Sequence, residues 1–147
     1  MKALVIAAGL VLAASAGLAD QLVSYSTDES YEDVVFGLEN AIVDQGLVID
    51  AVSHVGDMLE RTRADVGSDV TIFAKAEVFS FCSANLSRKV MEADPMNLRF
   101  CPYGIFVAQL PDNPGQTIIG YRSMPEGPMK EVETLLDTIT RSAIGME

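Results

Sequence analysis

The chain has 147 residues, which is enough for one domain with its own core and too few for two. Its net charge of −11 at pH 7 repels phosphate backbones and anionic lipid, so nucleic-acid binding and adhesion to membrane surfaces are both disfavoured. The single histidine, His54, excludes a metal site built from several histidines of one chain and is the only imidazole available to a Ser-His-Asp triad.

The N-terminal residues have the pattern of a secretory signal peptide. A basic residue precedes an apolar run at Ala3–Leu18, which ends in small residues that fit signal-peptidase sites at Ala14-Ser15-Ala16 and Gly17-Leu18-Ala19. A stable transmembrane helix is disfavoured because it needs about 20 apolar residues, and a polar acidic segment follows this shorter run at once. We expect cleavage after Ala19, a periplasmic or secreted location without stable membrane insertion, and a mature domain of residues 20–147.

The first half of the mature chain alternates between strand-like and helical patterns. Ser30-Tyr31-Glu32-Asp33 has the outline of a capping box with Asp in place of Glu, and Gly46 follows the apolar stripe of the same helix. The predicted elements are a strand at Leu22–Ser26, a helix between Ser30 and Gly46, a strand at Leu47–Val55, a helix at Asp57–Val66 and a strand at Val70–Phe81 with a break near Lys75.

The second half ends in a hairpin and a long amphipathic helix. Ser83 or Asn85 caps a third helix, which stops around Asp94-Pro95 because the residue before proline resists the helical conformation. The remaining predicted elements are a strand at Phe100–Leu110, a turn at Pro111–Gly115, a hairpin partner at Thr117–Arg122 and a helix at Met129–Ile144. This order indicates a single two-layer α+β domain with helices packed on a mainly antiparallel sheet.

Cys82 and Cys101 are the two cysteines of the chain, and whether they can bond depends on the strands that carry them. In an oxidising compartment such a pair usually forms a disulfide, which would stabilise the fold by about 3 kcal/mol. Antiparallel strands place both residues at one end and permit the bond, whereas parallel strands hold them too far apart. The alternative is a reactive thiol, because Cys82 precedes a helix whose dipole would lower its pKa.

Three further residues are candidates for ligand binding. His54 lies before a glycine loop, where it is either a haem or copper ligand or a surface residue. The methionines lack the close spacing of a copper site, so core packing is their better interpretation. Tyr121 and Arg122 end a strand, and Arg122 either holds an anionic ligand or pairs with a surface carboxylate.

Several of these segments together resemble the family known as domain of unknown function 302, over about residues 46–125. The chain departs from the family pattern after the third strand, where Ser83-Ala84 stands in place of Asn-Pro, and is similar to an exported subgroup. The resemblance implies a compact α+β domain that forms homodimers, and it implies no established reaction. The matching positions are Gly46, His54, Phe81–Ala84, Glu92–Pro95, Phe100–Tyr103, Tyr121 and Pro125.

We interpret the chain as an exported, non-catalytic binding module for a small ligand or a periplasmic protein partner, because no nucleophile, base and orienting group stand out together. The binding pocket is expected between strand ends near His54, Cys82 and Tyr121, with Arg122 as a further ligand-binding candidate. Two alternatives remain open. One is a periplasmic thiol or redox protein that uses Cys82 or Cys101, with a link to sulfur metabolism. The other is haem or copper binding through His54.

Overall fold

The computed structural model describes residues 21–146, so the predicted signal peptide at residues 1–19 lies outside the described residues. No helix within residues 21–146 is long and apolar enough to cross a membrane. The strands are β1 (Leu22–Thr27), β2 (Ile49–Ser53), β3 (Lys75–Phe81), β4 (Tyr103–Gln109) and β5 (Thr117–Arg122). The α-helices are α1 (Tyr31–Asp44), α2 (Val55–Thr62), α3 (Ala84–Ala93) and α4 (Lys130–Ala143), and a 3-10 helix spans Pro95–Phe100.

The five strands form one sheet in the order β1-β5-β4-β3-β2, and every neighbouring pair is antiparallel. One register row crosses the whole sheet. Its side chains share a face because alternate residues of a strand point to opposite sides. The structure therefore confirms an α+β domain with helices packed on an antiparallel sheet. The residues of this row are Val52, Phe79, Ile105, Tyr121 and Val23.

The core lies between this face of the sheet and helices α1, α3 and α4. Leu38 and Ile42 of α1 are fully buried, as are Leu136 and Ile139 of α4, at the spacing of one helical stripe. Val90 of α3 completes the layer. We call this side of the sheet the covered face and the other side the open face.

The first and last helices approach each other closely at Gly37. A Cβ atom added there would lie 2.2 Å from the carbonyl oxygen of Ala143, so no larger side chain fits between the two backbones. The chain therefore closes its N-terminal part onto its C-terminal part twice, once through α1 and α4 and once through the pairing of β1 with β5.

Local side chains set the helix ends that the sequence predicts. The Ser30 hydroxyl oxygen accepts a hydrogen bond from the Asp33 backbone N–H at 3.1 Å, and Ser83 accepts one from Leu86 at 3.4 Å. Gly46, just past α1, has a φ of +73°, a conformation that glycine adopts at little cost. The capping predictions at these ends are confirmed, with Ser83 as the cap of α3.

The structure differs from the predicted elements mainly around β3 and β4. Residues 70–74, predicted as the start of a strand, are irregular, and β3 begins only at Lys75. Val70 and Ile72 are β-branched but mostly exposed, so this segment has strand propensity without the cross-strand packing that makes a strand. Phe100, predicted as the first residue of a strand, is instead the last residue of the 3-10 helix, and β4 begins only at Tyr103. The Asp94 carboxylate caps the start of that helix by accepting a hydrogen bond from the Met96 N–H at 2.9 Å.

Candidate functional site

The open face of the sheet carries a groove of about 320 Å³ at the end where β3 finishes and β4 begins. Val78 of β3 lies opposite Phe106 of β4 and supplies the apolar floor. The 3-10 helix adds Arg99 to the wall, and β5 adds Arg122 at its last position. The groove therefore combines an apolar floor with two guanidinium groups.

Two glycines give the groove its depth. At Gly104, opposite Ser80, an added Cβ would make only an ordinary 3.5 Å contact with Val78, so the absent side chain leaves open space. At Gly120 an added Cβ would lie 2.9 Å from Cζ of Phe106, because the Phe106 ring lies over that backbone. The missing side chain at Gly120 therefore makes room for the Phe106 ring, and the missing side chain at Gly104 keeps the groove open.

The electrostatics of the groove contrast with those of the whole chain. The Arg99 guanidinium lies 4.7 Å from the centroid of the Phe100 ring, an arrangement that orders a long side chain by a cation–π contact. Tyr121 of β5 lies opposite Ile105 of β4, so the next residue, Arg122, lies opposite Gly104. Because neighbouring residues of a strand point to opposite faces, Arg122 is on the open face. Guanidinium groups match carboxylate and phosphate geometry, so the groove has the chemistry to hold an anion although the net charge is −11.

The two cysteines lie side by side next to this groove. Because β3 and β4 are antiparallel, with Phe81 opposite Tyr103, Cys82 and Cys101 emerge at the same end of the sheet. Their Sγ atoms are 2.6 Å apart and both residues are half-buried. The antiparallel arrangement is the one that permits a disulfide, and the bond itself stays a prediction.

The expected effect of the α3 dipole on Cys82 is wrong. Burial raises the pKa of the Cys82 thiol to about 12, with a further contribution from Cys101. The residue stands before Ser83, the capping position, and the cost of desolvating a thiolate is the largest contribution to the raised pKa. Cys82 is therefore protonated at neutral pH rather than activated.

His54 lies far from the groove and from the cysteines. Its Nδ1 is 2.5 Å from Oε1 of Glu77, near the start of β3, and the imidazole is largely exposed. Cys82 follows Glu77 by five residues along the strand, a separation of about 17 Å. The structure thus brings Arg122 and Tyr121 to one groove with the cysteines beside it, and does not bring His54 to it.

Tyr121 lies next to the groove, but its side chain belongs to the covered face of the sheet. The hydroxyl donates to Oδ1 of Asp137 on α4 at 2.9 Å, and Tyr25 donates to the same oxygen at 2.6 Å. Burial raises the pKa of Tyr121, and the neighbouring Asp137 raises it further. The phenol is therefore held by the covered face and stays neutral.

Sequence reasoning missed Val78, Arg99 and Phe106 as groove residues. The sequence pattern could have indicated Phe106, which stands between Ile105 and Val107. A strand with apolar residues on both of its sides indicates that neither face of the sheet is fully solvated there. Arg99 lacks any such pattern. It reaches the groove only because the 3-10 helix turns the chain before β4.

Metal-ligating residues are dispersed in this fold. Across residues 21–146 no three His, Cys, Asp or Glu side chains are grouped so that they could hold a metal ion. Haem or copper binding through His54 stays a prediction.

The fold and groove define a class of small α+β domains with one five-stranded antiparallel sheet and helices on one face. The family model described as "Domain of unknown function DUF302" matches residues 23–139, and the chain belongs to this family. The match extends beyond both ends of the segment, about residues 46–125, on which the resemblance rested.

A solved structure agrees with this assignment at the level of the fold. The crystal structure of an uncharacterized conserved protein DUF302 from Bacillus stearothermophilus is similar, with a TM-score of 0.59 and 15% sequence identity. The similarity covers 84% of this chain and 93% of that chain. No curated protein matches the chain.

Proposed function

We propose that the protein is an exported, non-catalytic binding module whose groove on the open face holds a small organic anion with an apolar part. The observation that carries this proposal is the placement of Arg99 and Arg122 on the walls of a groove of about 320 Å³. That volume falls at the lower end of the range of about 300–1,000 Å³ that is typical of small-molecule sites.

The arginines of the groove recognise the charged group of the ligand, and the apolar residues recognise the rest of it. A carboxylate or phosphate accepts paired hydrogen bonds from a guanidinium, which supplies orientation as well as attraction. The apolar part of the ligand lies on Phe106 and Val78, whose half-exposed side chains lose contact with water when it binds. A neutral or cationic molecule of the same shape gains only the burial of apolar surface and not the hydrogen bonds to the guanidinium, so the site discriminates by charge.

Isothermal titration calorimetry with octanoate tests the proposal. We expect octanoate to bind, and octanol and octylammonium to bind at least about tenfold more weakly, since a charge-assisted hydrogen bond contributes roughly 1.5–3 kcal/mol. Gly104→Val fills the groove where a Cβ fits without a clash and should abolish binding. Ser26→Val, an exposed residue of the open face outside the groove, is the matched control. Equal binding of octanol, or full binding by Gly104→Val, contradicts the proposal.

A second candidate function rests on the cysteine pair. Sγ atoms 2.6 Å apart can exchange with an external disulfide: two thiols lose two protons and two electrons, one internal S–S bond forms, and the external disulfide becomes two thiols. The raised pKa of Cys82 makes this particular thiol a poor attacking nucleophile at neutral pH. Thiol titration of protein purified without reductant decides between a structural bond and a catalytic pair, because a catalytic pair is recovered partly reduced.

Export and dimerisation belong to the same proposal. Native mass spectrometry of protein from the periplasmic fraction measures both: a mature chain beginning at Asp20 supports cleavage after Ala19, and the subunit count tests the homodimer. A full-length mass, or a monomer at micromolar concentration, contradicts the corresponding part. The absorbance spectrum of the same sample tests haem or copper binding at His54, which predicts a visible band that disappears in His54→Ala.

A further inference from the structure

A second pocket, of about 370 Å³, opens between α1 and the start of β3, away from the groove. Its chemistry is the opposite of the groove's, because three carboxylates line it and one wall is apolar. Phe36 and Val35 form the apolar wall, and the Phe36 side chain is 67% exposed. The lining residues are Tyr31, Glu32, Val35, Phe36, Glu39 and Glu77.

Tyr31 is the feature that points to a ligand. Its side chain is 7% exposed, and its hydroxyl is buried without a hydrogen-bond partner among the described residues. Buried polar atoms are nearly always paired, and each exception calls for an explanation. Burial raises the pKa of Tyr31, and the nearby Glu77 carboxylate, by its charge and by its closeness to the hydroxyl, raises it further, so the phenol oxygen lies beside a carboxylate. A neutral oxygen in such a place is suited to accept a hydrogen bond from a cation.

The chain already holds one ammonium group at the rim of this pocket. Nζ of Lys75 lies 5.4 Å from the centroid of the Tyr31 ring and forms an ion pair with Glu32. The ring face and the carboxylate together thus accommodate a cation. Glu39 and Glu77 lie farther along the pocket, and His54 contacts Oε1 of Glu77 at 2.5 Å, which orients that carboxylate.

We propose that this pocket binds an organic primary ammonium ion that carries a short apolar chain. The ammonium donates hydrogen bonds to the Tyr31 hydroxyl oxygen and to the Glu77 carboxylate, and the apolar chain lies against Phe36 and Val35. The site is separate from the groove and takes a ligand of the opposite charge.

The probe is n-hexylammonium chloride, titrated into the full mature protein by calorimetry. Hexylammonium is expected to bind, whereas 1-hexanol and hexanoate bind at least about tenfold more weakly because they lack the charge that the carboxylates recognise. Tyr31→Phe removes only a buried hydroxyl that makes no well-aligned hydrogen bond, so it should fold with a Tm close to that of the wild-type chain and bind hexylammonium about tenfold more weakly. Glu77→Gln is expected to weaken binding by a similar factor.

Phe36→Ala tests the apolar wall without a risk to folding, because Phe36 is mostly exposed. Val43→Ala, on the same helix and 60% exposed but outside the pocket, is the matched control and should leave the affinity unchanged. Equal affinity for 1-hexanol overturns the proposal, and so does full affinity in Tyr31→Phe. Loss of octanoate binding in these variants also overturns it, because that result would mean that the two sites are one.

Discussion

The two faces of the sheet use the same strands for different purposes. On the covered face, Phe79 and Ile105 are 1% and 0% exposed and pack against helices from three parts of the chain. On the open face, their neighbours Val78 and Phe106 stay half-exposed beside two arginines and bare glycine backbone. Packing of the covered face stabilises the domain. The open face is free to bind because its side chains contribute little to that stability.

The largest expected effect separates adjacent residues of β4. Ile105→Ala leaves a cavity in the core and should lower the free energy of unfolding by roughly 2–5 kcal/mol, measured by urea denaturation. Phe106→Ala should cost clearly less, because part of that ring is already in water, yet it should weaken octanoate binding. A larger stability loss in Phe106→Ala than in Ile105→Ala contradicts the division between the faces.

The cysteine pair lies at the ends of two strands that both faces share. If the bond between Cys82 and Cys101 forms, reductant should lower the free energy of unfolding by about 3 kcal/mol, because the unfolded chain regains the freedom of a closed loop. Urea denaturation with and without dithiothreitol measures the effect, and the double variant Cys82→Ser/Cys101→Ser should be insensitive to it. Equal stability of the wild-type chain in both conditions argues against the bond.

Two glycines of the open face should respond differently to the same added methyl group. Gly120→Ala brings a Cβ to 2.4 Å from the Val23 carbonyl oxygen and 2.9 Å from Phe106, so we expect a loss of roughly 1–3 kcal/mol. Gly104→Ala should leave stability unchanged or raise it by up to about 1 kcal/mol, since glycine weakens a strand. Thermal unfolding of the two variants in parallel measures the contrast, and similar Tm values would mean that the Phe106 ring does not lie over Gly120.

The smallest effect at neutral pH concerns the four tyrosines, each of which has a raised pKa. The folded state keeps the phenol protons above pH 10, where the unfolded chain releases them. The unfolded chain therefore binds fewer protons, and stability falls as the pH rises above about 10. Ultraviolet titration of the folded protein should show tyrosine ionisation only above pH 10. Four phenols that titrate near pH 10 in a folded protein would contradict this. The four tyrosines are Tyr25, Tyr31, Tyr103 and Tyr121.

Much of the covered face could be predicted from the sequence, because its determinants are local. Apolar residues at helical spacing predict the buried stripe of α4, and Ser30 and Ser83 predict where two helices begin. The same local reasoning failed at residues 70–74, where alternating apolar residues indicate a strand that finds no place in the sheet. Strand propensity measures packing against neighbours, and the sequence alone does not supply the neighbours.

The open face was less predictable because its groove is assembled from distant segments. Arg122 was a candidate from its position at a strand end, but Val78 and Arg99 come to the same groove through the pairing of β3 with β4 and the turn of the 3-10 helix. His54 and Cys82 were expected near one pocket, but β2 and β3 are antiparallel, so the end of β2 that carries His54 lies beside the first half of β3 and Cys82 follows its other end. Both residues are near that strand, one towards each end.

The closure of the chain through β1 with β5 and α1 with α4 has a consequence for its biosynthesis. β1 and α1 are synthesised well before their partners β5 and α4, and Gly37 meets Ala143 only after α4 has been made. Contacts so distant in sequence form late in folding. A nascent chain of this topology therefore stays open at least until α4 has been made, whatever else of the domain is already complete.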